Sequence, residues 1–214
     1  MNQAETPFML LQQQHIDALD QAERLIFHSD FCPYLELKKL LLDPTPLARD
    51  RFRLLFTNYY GLNIGGLTEE FKIRFFTILF SGTFIVNGQP DFPSILWELS
   101  RIKRKKGDFA IPFSFTSKLV AMHDETSPIY DRHVLNFFSK KAPAATVDKE
   151  NRIVWYVEFL EYVRNTYINW AGSIQIAPIL SRLKNRDVQL SNCHIVRLMD
   201  FLVWNIGNQK LLRK

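Results

Sequence analysis

The chain is 214 residues long, and its content of 47% hydrophobic and 23% charged residues excludes an extended disordered chain. Its 27 Lys and Arg residues outnumber its 22 Asp and Glu residues, and the resulting net charge of +5 favours a polyanionic partner. Cys32 and Cys193 cannot form a disulfide framework, and no cluster of Cys and His predicts a metal site. We therefore expect no cofactor and no metal.

No secretory signal or membrane-spanning segment is apparent. The first residues, MNQAETPF, lack a basic region followed by an apolar one. The most apolar stretch, residues 75–86, is too short to cross a bilayer. These observations predict a cytoplasmic protein with reduced cysteines and no membrane partner.

Helical periodicity runs through most of the chain, and strand signals are few. Apolar residues predict a first helix within 8–27, and Thr68 is placed to cap the start of another. Asp91 begins a further helix, which we expect to continue through the cationic segment 101–106 as far as Gly107.

The second half of the chain continues this pattern. The longest periodic run there covers 146–172. Ser191 and Gly207 are placed to begin and to end the last helix. We therefore predict an all-α fold.

Two charged residues in the segment 114–138 stand among apolar neighbours. Lys118 belongs to an expected helix, Phe115–His123, that is otherwise rich in Phe, Leu, Val and Met. Asp131 follows an apolar turn and is placed to cap the next helix, which keeps its carboxylate ionised. Burial would lower the pKa of the Lys118 ammonium, whereas a nearby carboxylate would raise it.

This pair suggests a chemical function as well as a structural one. A neutral amine is a nucleophile, and an anchored carboxylate stabilises positive charge that develops on the carbon under attack. Spacing alone favours the structural interpretation, a lysine that extends its ammonium into solvent and an aspartate that only caps a helix.

The sequence around the pair resembles a known family. TSKLVA, which contains Lys118, is similar to the end of the hairpin that carries the nucleophile in the helix-hairpin-helix DNA glycosylase superfamily. PIYDRHVL, which contains Asp131, is similar to the aspartate turn of these enzymes. Its DRHVL portion most resembles the archaeal-type 8-oxoguanine DNA glycosylases. The match covers residues 114–138.

The resemblance implies a fold and an activity. The whole chain, 1–214, would be one glycosylase-like unit, with two helical lobes and a helix-hairpin-helix element at the cleft between them. The hairpin and catalytic segment would cover about 108–138. Lys118 would attack the sugar C1′ and expel an oxidised purine, with 8-oxoguanine as the favoured base. The resulting Schiff base would then undergo β-elimination, which cuts the strand. Asp131 would stabilise the oxocarbenium-like charge.

The resemblance also implies a partner. In this family the damaged nucleotide is flipped out of double-stranded DNA into a pocket. We therefore expect a monomer that binds duplex DNA and is associated with the nucleoid.

Pocket residues follow from the same resemblance. Met122 lies one helical turn after Lys118 and would line the base pocket, joined by Asp200 and Trp204 of the last helix. Core packing explains these three pocket residues as well. Lys214 matches a C-terminal lysine that reaches the pocket in the archaeal-type enzymes.

Cationic residues are expected to contact the DNA backbone. His133 matches the histidine of the family's Asp-x-His pattern, which lies beside the lesion, although an exposed helix position explains it equally. Five cations in six positions precede the hairpin and would bind phosphates or form a solvated helix end. They are Arg101, Lys103, Arg104, Lys105 and Lys106.

Two features depart from the family pattern. The hairpin IPFSFTSK contains Pro112 but none of the glycines whose amides bind a phosphate, and the interval from Lys118 to Asp131 is shorter than usual. These departures favour an alternative, a non-catalytic module that has the same fold and binds DNA or a partner. A glycosylase for another modified base is the remaining alternative.

Overall fold

The computed structural model describes residues 8–63 and 66–209, and within these ranges the chain is mostly helical, which confirms the all-α prediction at this level. Two short strands, β1 (Ile85–Val86) and β2 (Gln89–Pro90), form an antiparallel hairpin, and a 3₁₀ turn covers Leu190–Asn192. No helix in these ranges has both the length and the apolar character needed to cross a membrane. The described residues contain ten α-helices: α1 (Gln13–Leu25), α2 (His28–Leu42), α3 (Pro46–Tyr59), α4 (Glu69–Ser81), α5 (Phe92–Leu99), α6 (Phe113–His123), α7 (Arg132–Phe137), α8 (Lys149–Ala171), α9 (Ala177–Lys184) and α10 (Ile195–Gln209).

Side-chain caps fix where several helices begin. Thr68 Oγ1 accepts a hydrogen bond from the Phe71 amide at 3.2 Å, as the position of Thr68 predicted. Asp91 Oδ1 accepts a hydrogen bond from the Ser94 amide at 3.2 Å. Each cap satisfies an amide in the first turn that has no partner within its own helix.

Contacts between residues divide the chain into two compact units. Unit 2 is the continuous segment His28–Asp124. Unit 1 combines Met1–Phe27 with Glu125–Lys214, so its two parts are separated in the sequence by all of unit 2.

Unit 2 has an aromatic core. Phe52 and Phe56 of α3 and Phe75 and Phe76 of α4 are buried. The ring centroids of Phe56 and Phe75 are 5.3 Å apart, within the range of favourable aromatic pairing. Elsewhere in this unit α6 packs against α5 and β2.

Unit 1 is organised around α10. Ten of its residues are buried, and it contacts α1, α7, α8 and α9. A helix that is apolar on most sides belongs in the interior of a bundle. Ion pairs join α1 to the end of α9: the buried Glu23 carboxylate accepts hydrogen bonds from Arg182 Nε and Arg186 Nε, both at 2.8 Å.

The helix that was expected to continue as far as Gly107 ends earlier, so that prediction is wrong. α5 ends at Leu99. Lys103 and Phe109 then pair as an isolated antiparallel bridge, and Gly107 has a φ of 82°, a turn conformation that glycine adopts without strain. In a helix, like charges three and four residues apart, such as Arg101 with Arg104 and Lys105, would repel one another and oppose its continuation. We call residues 101–109 the basic hairpin.

Both ends of the last helix also differ from the prediction. Ser191 lies in the 3₁₀ turn, and α10 begins at Ile195. Gly207 lies inside α10, where an added Cβ would overlap the Cβ of His133 and lie 2.9 Å from its Cγ. This glycine therefore permits a close approach of α7 and does not end the helix.

The β-hairpin was not predicted, although its turn is encoded locally. Asn87 and Gly88 have φ values of 51° and 79°, and two positive φ angles in an Asn-Gly pair are typical of a type I′ hairpin turn.

Candidate active site

Lys118 lies in α6, which begins at Phe113, two residues earlier than predicted. The Lys118 residue is only 9% exposed. Its Nζ donates a hydrogen bond to Ser114 Oγ at 3.0 Å and lies 5.4 Å from the ring centroids of both Tyr60 and Phe115. A hydroxyl and two aromatic rings therefore contact the ammonium where an exposed lysine would contact water.

α6 is buried along most of its length, which explains why its lysine is enclosed. Leu119, Val120 and Ala121 are buried together with Met122, which is 1% exposed. The Met122 carbonyl oxygen accepts a hydrogen bond from Lys38 Nζ at 3.0 Å. The Met122 side chain thus belongs to the interior of unit 2.

His123 fixes the other end of α6. Its Nε2 lies 2.8 Å from the carbonyl oxygen of Leu79 at the end of α4. Burial lowers the pKa of His123, and the hydrogen bond to Leu79 offsets part of that effect. The neutral imidazole is therefore the favoured form in the folded protein.

A pocket of about 160 Å³ opens at the start of α6. Ser114 and Phe115, which contact the Lys118 ammonium, also form part of its wall. The rest of the wall is mostly apolar and includes Arg104 of the basic hairpin. The pocket thus connects the basic hairpin with the surroundings of Lys118.

The basic hairpin presents cations to solvent. Arg104 is half-buried and pairs with Asp108, and this guanidinium holds the pKa of the Asp108 carboxyl below its usual range. Exposed cations of this kind can neutralise phosphates of a nucleic acid. Four cations of the hairpin are exposed: Arg101, Lys103, Lys105 and Lys106.

Asp131 lies in unit 1, where it caps α7 as the sequence predicted. Its Oδ1 accepts hydrogen bonds from the amides of His133 at 2.8 Å and Val134 at 3.0 Å. Its Oδ2 accepts no hydrogen bond from the residues that the structure describes. The cap therefore engages one carboxylate oxygen, and the other can stabilise a positive charge.

Asp200 is buried in unit 1 as the partner of Arg197, a residue that the sequence analysis did not single out. Arg197 Nη1 donates a hydrogen bond to Asp200 Oδ2 at 2.6 Å, and the Ile129 amide donates to the same oxygen at 3.0 Å. Burial raises the pKa of Asp200 to about 7, and Arg197 opposes this effect. An Arg-x-x-Asp spacing inside an apolar helix is the sequence signal that indicates such a pair.

Trp204 and His133 lie side by side on α10 and α7. Their ring centroids are 5.9 Å apart with an edge-to-face angle of 73°. Trp204 is 37% exposed, whereas His133 is half-buried because it lies against Gly207.

The residues predicted for the site fall into two groups. Those in unit 2 are Lys118, Met122 and the basic hairpin, and those in unit 1 are Asp131, His133, Asp200 and Trp204. Lys214 lies outside the described residues. Within the described ranges, no group of three or more His, Cys, Asp or Glu side chains is arranged to hold a metal ion. Comparison of the chain with protein-family models, with curated proteins and with solved structures found no match.

Proposed function

We propose that the chain is a DNA glycosylase with AP-lyase activity that removes an oxidised purine, with 8-oxoguanine as the favoured base. One observation carries the proposal: the Lys118 amine is enclosed, with 9% of the residue exposed, beside a hydroxyl and two aromatic rings. A lysine in water is protonated and unreactive, so a lysine nucleophile has to be withdrawn from bulk solvent. The resemblance of residues 114–138 to helix-hairpin-helix glycosylases gives this amine its target, the deoxyribose C1′.

In the proposed reaction the neutral Lys118 amine attacks C1′, and the bond from C1′ to the base breaks. The base leaves with the bonding electron pair and takes up a proton. The attacking nitrogen loses one proton, the C1′–O4′ bond breaks as O4′ takes up a proton, and C1′ and the nitrogen form a protonated Schiff base. Removal of a C2′ proton then expels the 3′ phosphate with the electron pair of its bond to C3′ and cuts the strand. The Asp131 carboxylate stabilises the positive charge that the sugar carries while the bond to the base is breaking.

The proposal includes a finer description of the fold, with two helical lobes and a helix-hairpin-helix element at the cleft between them. In this description the hairpin and catalytic segment cover about 108–138, so the hairpin lies at the start of α6 and the basic hairpin precedes it. The reaction requires Lys118 and Asp131 to reach the same deoxyribose. The uncommitted Oδ2 of Asp131, which accepts no hydrogen bond within the described ranges, supports this role.

Double-stranded DNA with a flipped damaged base is the proposed partner, bound by a monomer associated with the nucleoid. The exposed cations of the basic hairpin support it, because neutralising a phosphate releases counterions and strengthens binding. In the proposed base pocket Trp204 has exposed surface and offers a stacking face. The proposal also assigns Met122 and Asp200 to the pocket, and each is buried within its own unit.

Covalent trapping tests the proposal. Borohydride reduces a Schiff base to a stable amine, so the protein incubated with duplex DNA that contains 8-oxoguanine is expected to form a protein–DNA adduct. Lys118→Ala is expected to abolish the adduct, because no other amine is proposed to reach C1′. Lys72→Ala is the matched control in the same unit, since Lys72 pairs with Glu69 at 2.8 Å on the surface of α4.

Two results would contradict the proposal in different ways. An adduct of Lys118→Ala at the level of the wild type would remove Lys118 from the mechanism. No adduct with a panel of modified bases, combined with equal affinity for damaged and undamaged duplexes, would favour the non-catalytic binding module. Mass spectrometry of the released bases identifies the substrate if the base is not 8-oxoguanine.

A further inference from the structure

One face of α10 and the residue before it hold the segment that leads to Asp131. The His194 amide donates a hydrogen bond to Glu125 Oε2 at 3.0 Å, and Arg197 Nη2 donates to the carbonyl oxygen of Ser127 at 3.0 Å. One turn further along, the Ile129 amide donates to Asp200 at 3.0 Å.

The order of these contacts is regular. Hydrogen bonds join position 194 to 125, position 197 to 127, and position 200 to 129, in the same order along both segments. Further along, Gly207 lies close to His133. Residues three or four apart share one face of a helix, so Arg197 and Asp200 lie along one side of α10. The helix face and the segment therefore run in the same direction, and Asp131 follows directly after the last of the hydrogen bonds.

The pair at the centre of this face is unusual for a core. Arg197 is 0% exposed and Asp200 is 4% exposed. Removing two charges from water is unfavourable, and well-packed apolar residues often stabilise such a position equally well. The two backbone hydrogen bonds, to Ser127 and from Ile129, give the pair a function that apolar residues cannot supply.

The segment itself has little structure of its own. Residues 124–131 contain no helix or strand, so the α7 cap fixes Asp131 relative to α7 but does not fix the approach of the chain to it. A carboxylate that acts on a reacting centre has to be held within about 0.5 Å of its productive position.

We propose that Arg197 and Asp200 are positioning residues for Asp131: by holding Ser127 and Ile129 on α10 they fix the turn from which the Asp131 carboxylate is directed at the sugar. This inference rests on the proposed function, because Asp131 needs a fixed orientation only if its carboxylate takes part in a reaction.

Two double variants without the buried charges test the inference. Arg197→Met with Asp200→Asn keeps an oxygen acceptor for the Ile129 amide, whereas Arg197→Met with Asp200→Leu removes it with a side chain of the same branching and number of heavy atoms. The Leu form is expected to lower the single-turnover rate of base excision about 100-fold, the order of effect that a displacement of about 1 Å produces. The Asn form is expected to recover most of that loss, because it keeps the acceptor that holds the Ile129 amide and so restores the position of Asp131.

A control separates positioning from stability. Glu23→Gln disturbs another buried carboxylate–guanidinium site in unit 1, far along the chain from Ile129. It is expected to lower the unfolding temperature and to leave the single-turnover rate unchanged at temperatures where the variant is folded.

The outcomes are distinguishable. If the wild type is active and the two double variants have equal rates, the inference alone is overturned. If the wild type shows neither excision nor adduct, the proposed function is overturned and the inference with it. If the Leu form does not fold, hydrogen exchange of the wild type decides. The Ile129 amide is expected to be protected more strongly than the neighbouring amides of the turn, and rapid exchange there overturns the inference.

Discussion

Asp131 combines two properties that substitution can separate, because asparagine caps a helix nearly as well as aspartate but carries no charge. Asp131→Asn is expected to change the free energy of unfolding by only a few tenths of a kcal/mol, whereas Asp131→Ala is expected to lower it by about 1 kcal/mol. Both are expected to lower the trapping rate, since both remove the charge. Urea unfolding and single-turnover trapping measure the two effects, and an Asn variant with the wild-type rate would show that the charge is not used.

At this scale the sequence predicted local features and missed distant ones. The Asp131 cap was predictable, because both amides that donate hydrogen bonds to it lie within three residues of it. The hydrogen-bond partners of Asp200 were not, because its backbone donor, Ile129, lies 71 residues away in the sequence. Arg197 was missed for the same reason, although its spacing from Asp200 was visible.

At the scale of elements, the crossing of α7 and α10 depends on the absence of one side chain. Gly207→Ala is expected to destabilise the protein by about 1–3 kcal/mol, the usual range for overpacking, because the new Cβ overlaps the Cβ of His133. His133→Ala is not expected to rescue it, since alanine keeps that Cβ. Denaturant unfolding measures the effect.

A matched glycine in the same unit provides the control. Gly172 lies at the end of α8 with a φ of −76°, and an added Cβ there would meet only backbone oxygens at 3.6 Å and 3.8 Å, which is ordinary contact. Gly172→Ala is therefore expected to leave stability within about 0.5 kcal/mol of the wild type. Equal effects at both glycines would show that the close approach of α7 does not require Gly207.

Helix starts were easier to predict than helix ends. Asp91 begins α5 through a side chain that bonds an amide three residues later, and this information is local. The end of α5 depends on partners elsewhere: Lys103 bridges Phe109, and the Lys105 amide donates to the carbonyl oxygen of Gly66 at 2.9 Å. The basic hairpin was therefore mistaken for a continuation of the helix.

At the scale of the whole molecule, two buried histidines link stability to pH. Burial lowers the pKa of His15 in unit 1 and of His123 in unit 2. A histidine in the unfolded chain takes up a proton near pH 6.5, whereas the folded protein takes it up only at lower pH. The unfolded state therefore binds more protons below about pH 6.5, and the free energy of unfolding falls with acidification. Asp200 acts in the opposite sense, because its pKa of about 7 lies above the unfolded value of 3.8, so acidification from pH 7 towards 4 stabilises unit 1.

The contribution of His123 in unit 2 to the pH dependence of stability can be measured directly. His123→Gln retains a side-chain N–H for the carbonyl oxygen of Leu79 but does not titrate. The loss of stability between pH 7 and pH 5 is expected to be smaller in this variant than in the wild type, as determined by urea unfolding at each pH. A wild-type slope in His123→Gln would contradict the role given to burial.

The division into two units was beyond the reach of sequence patterns. Only Ile26 and Phe27 separate α1 from α2, and no change of composition marks Asp124 or Glu125. The overall helical class was predictable because it depends on the sum of many local preferences, whereas unit boundaries depend on which helices contact one another.

The two-part construction of unit 1 also determines when it can form during synthesis. Unit 2 is complete as soon as Asp124 has left the ribosome, but α1 is made first and finds Arg182 only 159 residues after Glu23. Until then α1 lacks the contacts with α9 and α10 that it makes in the folded protein, and apolar surface exposed in this way favours aggregation. Unit 1, which contains Asp131, can therefore be completed only after unit 2.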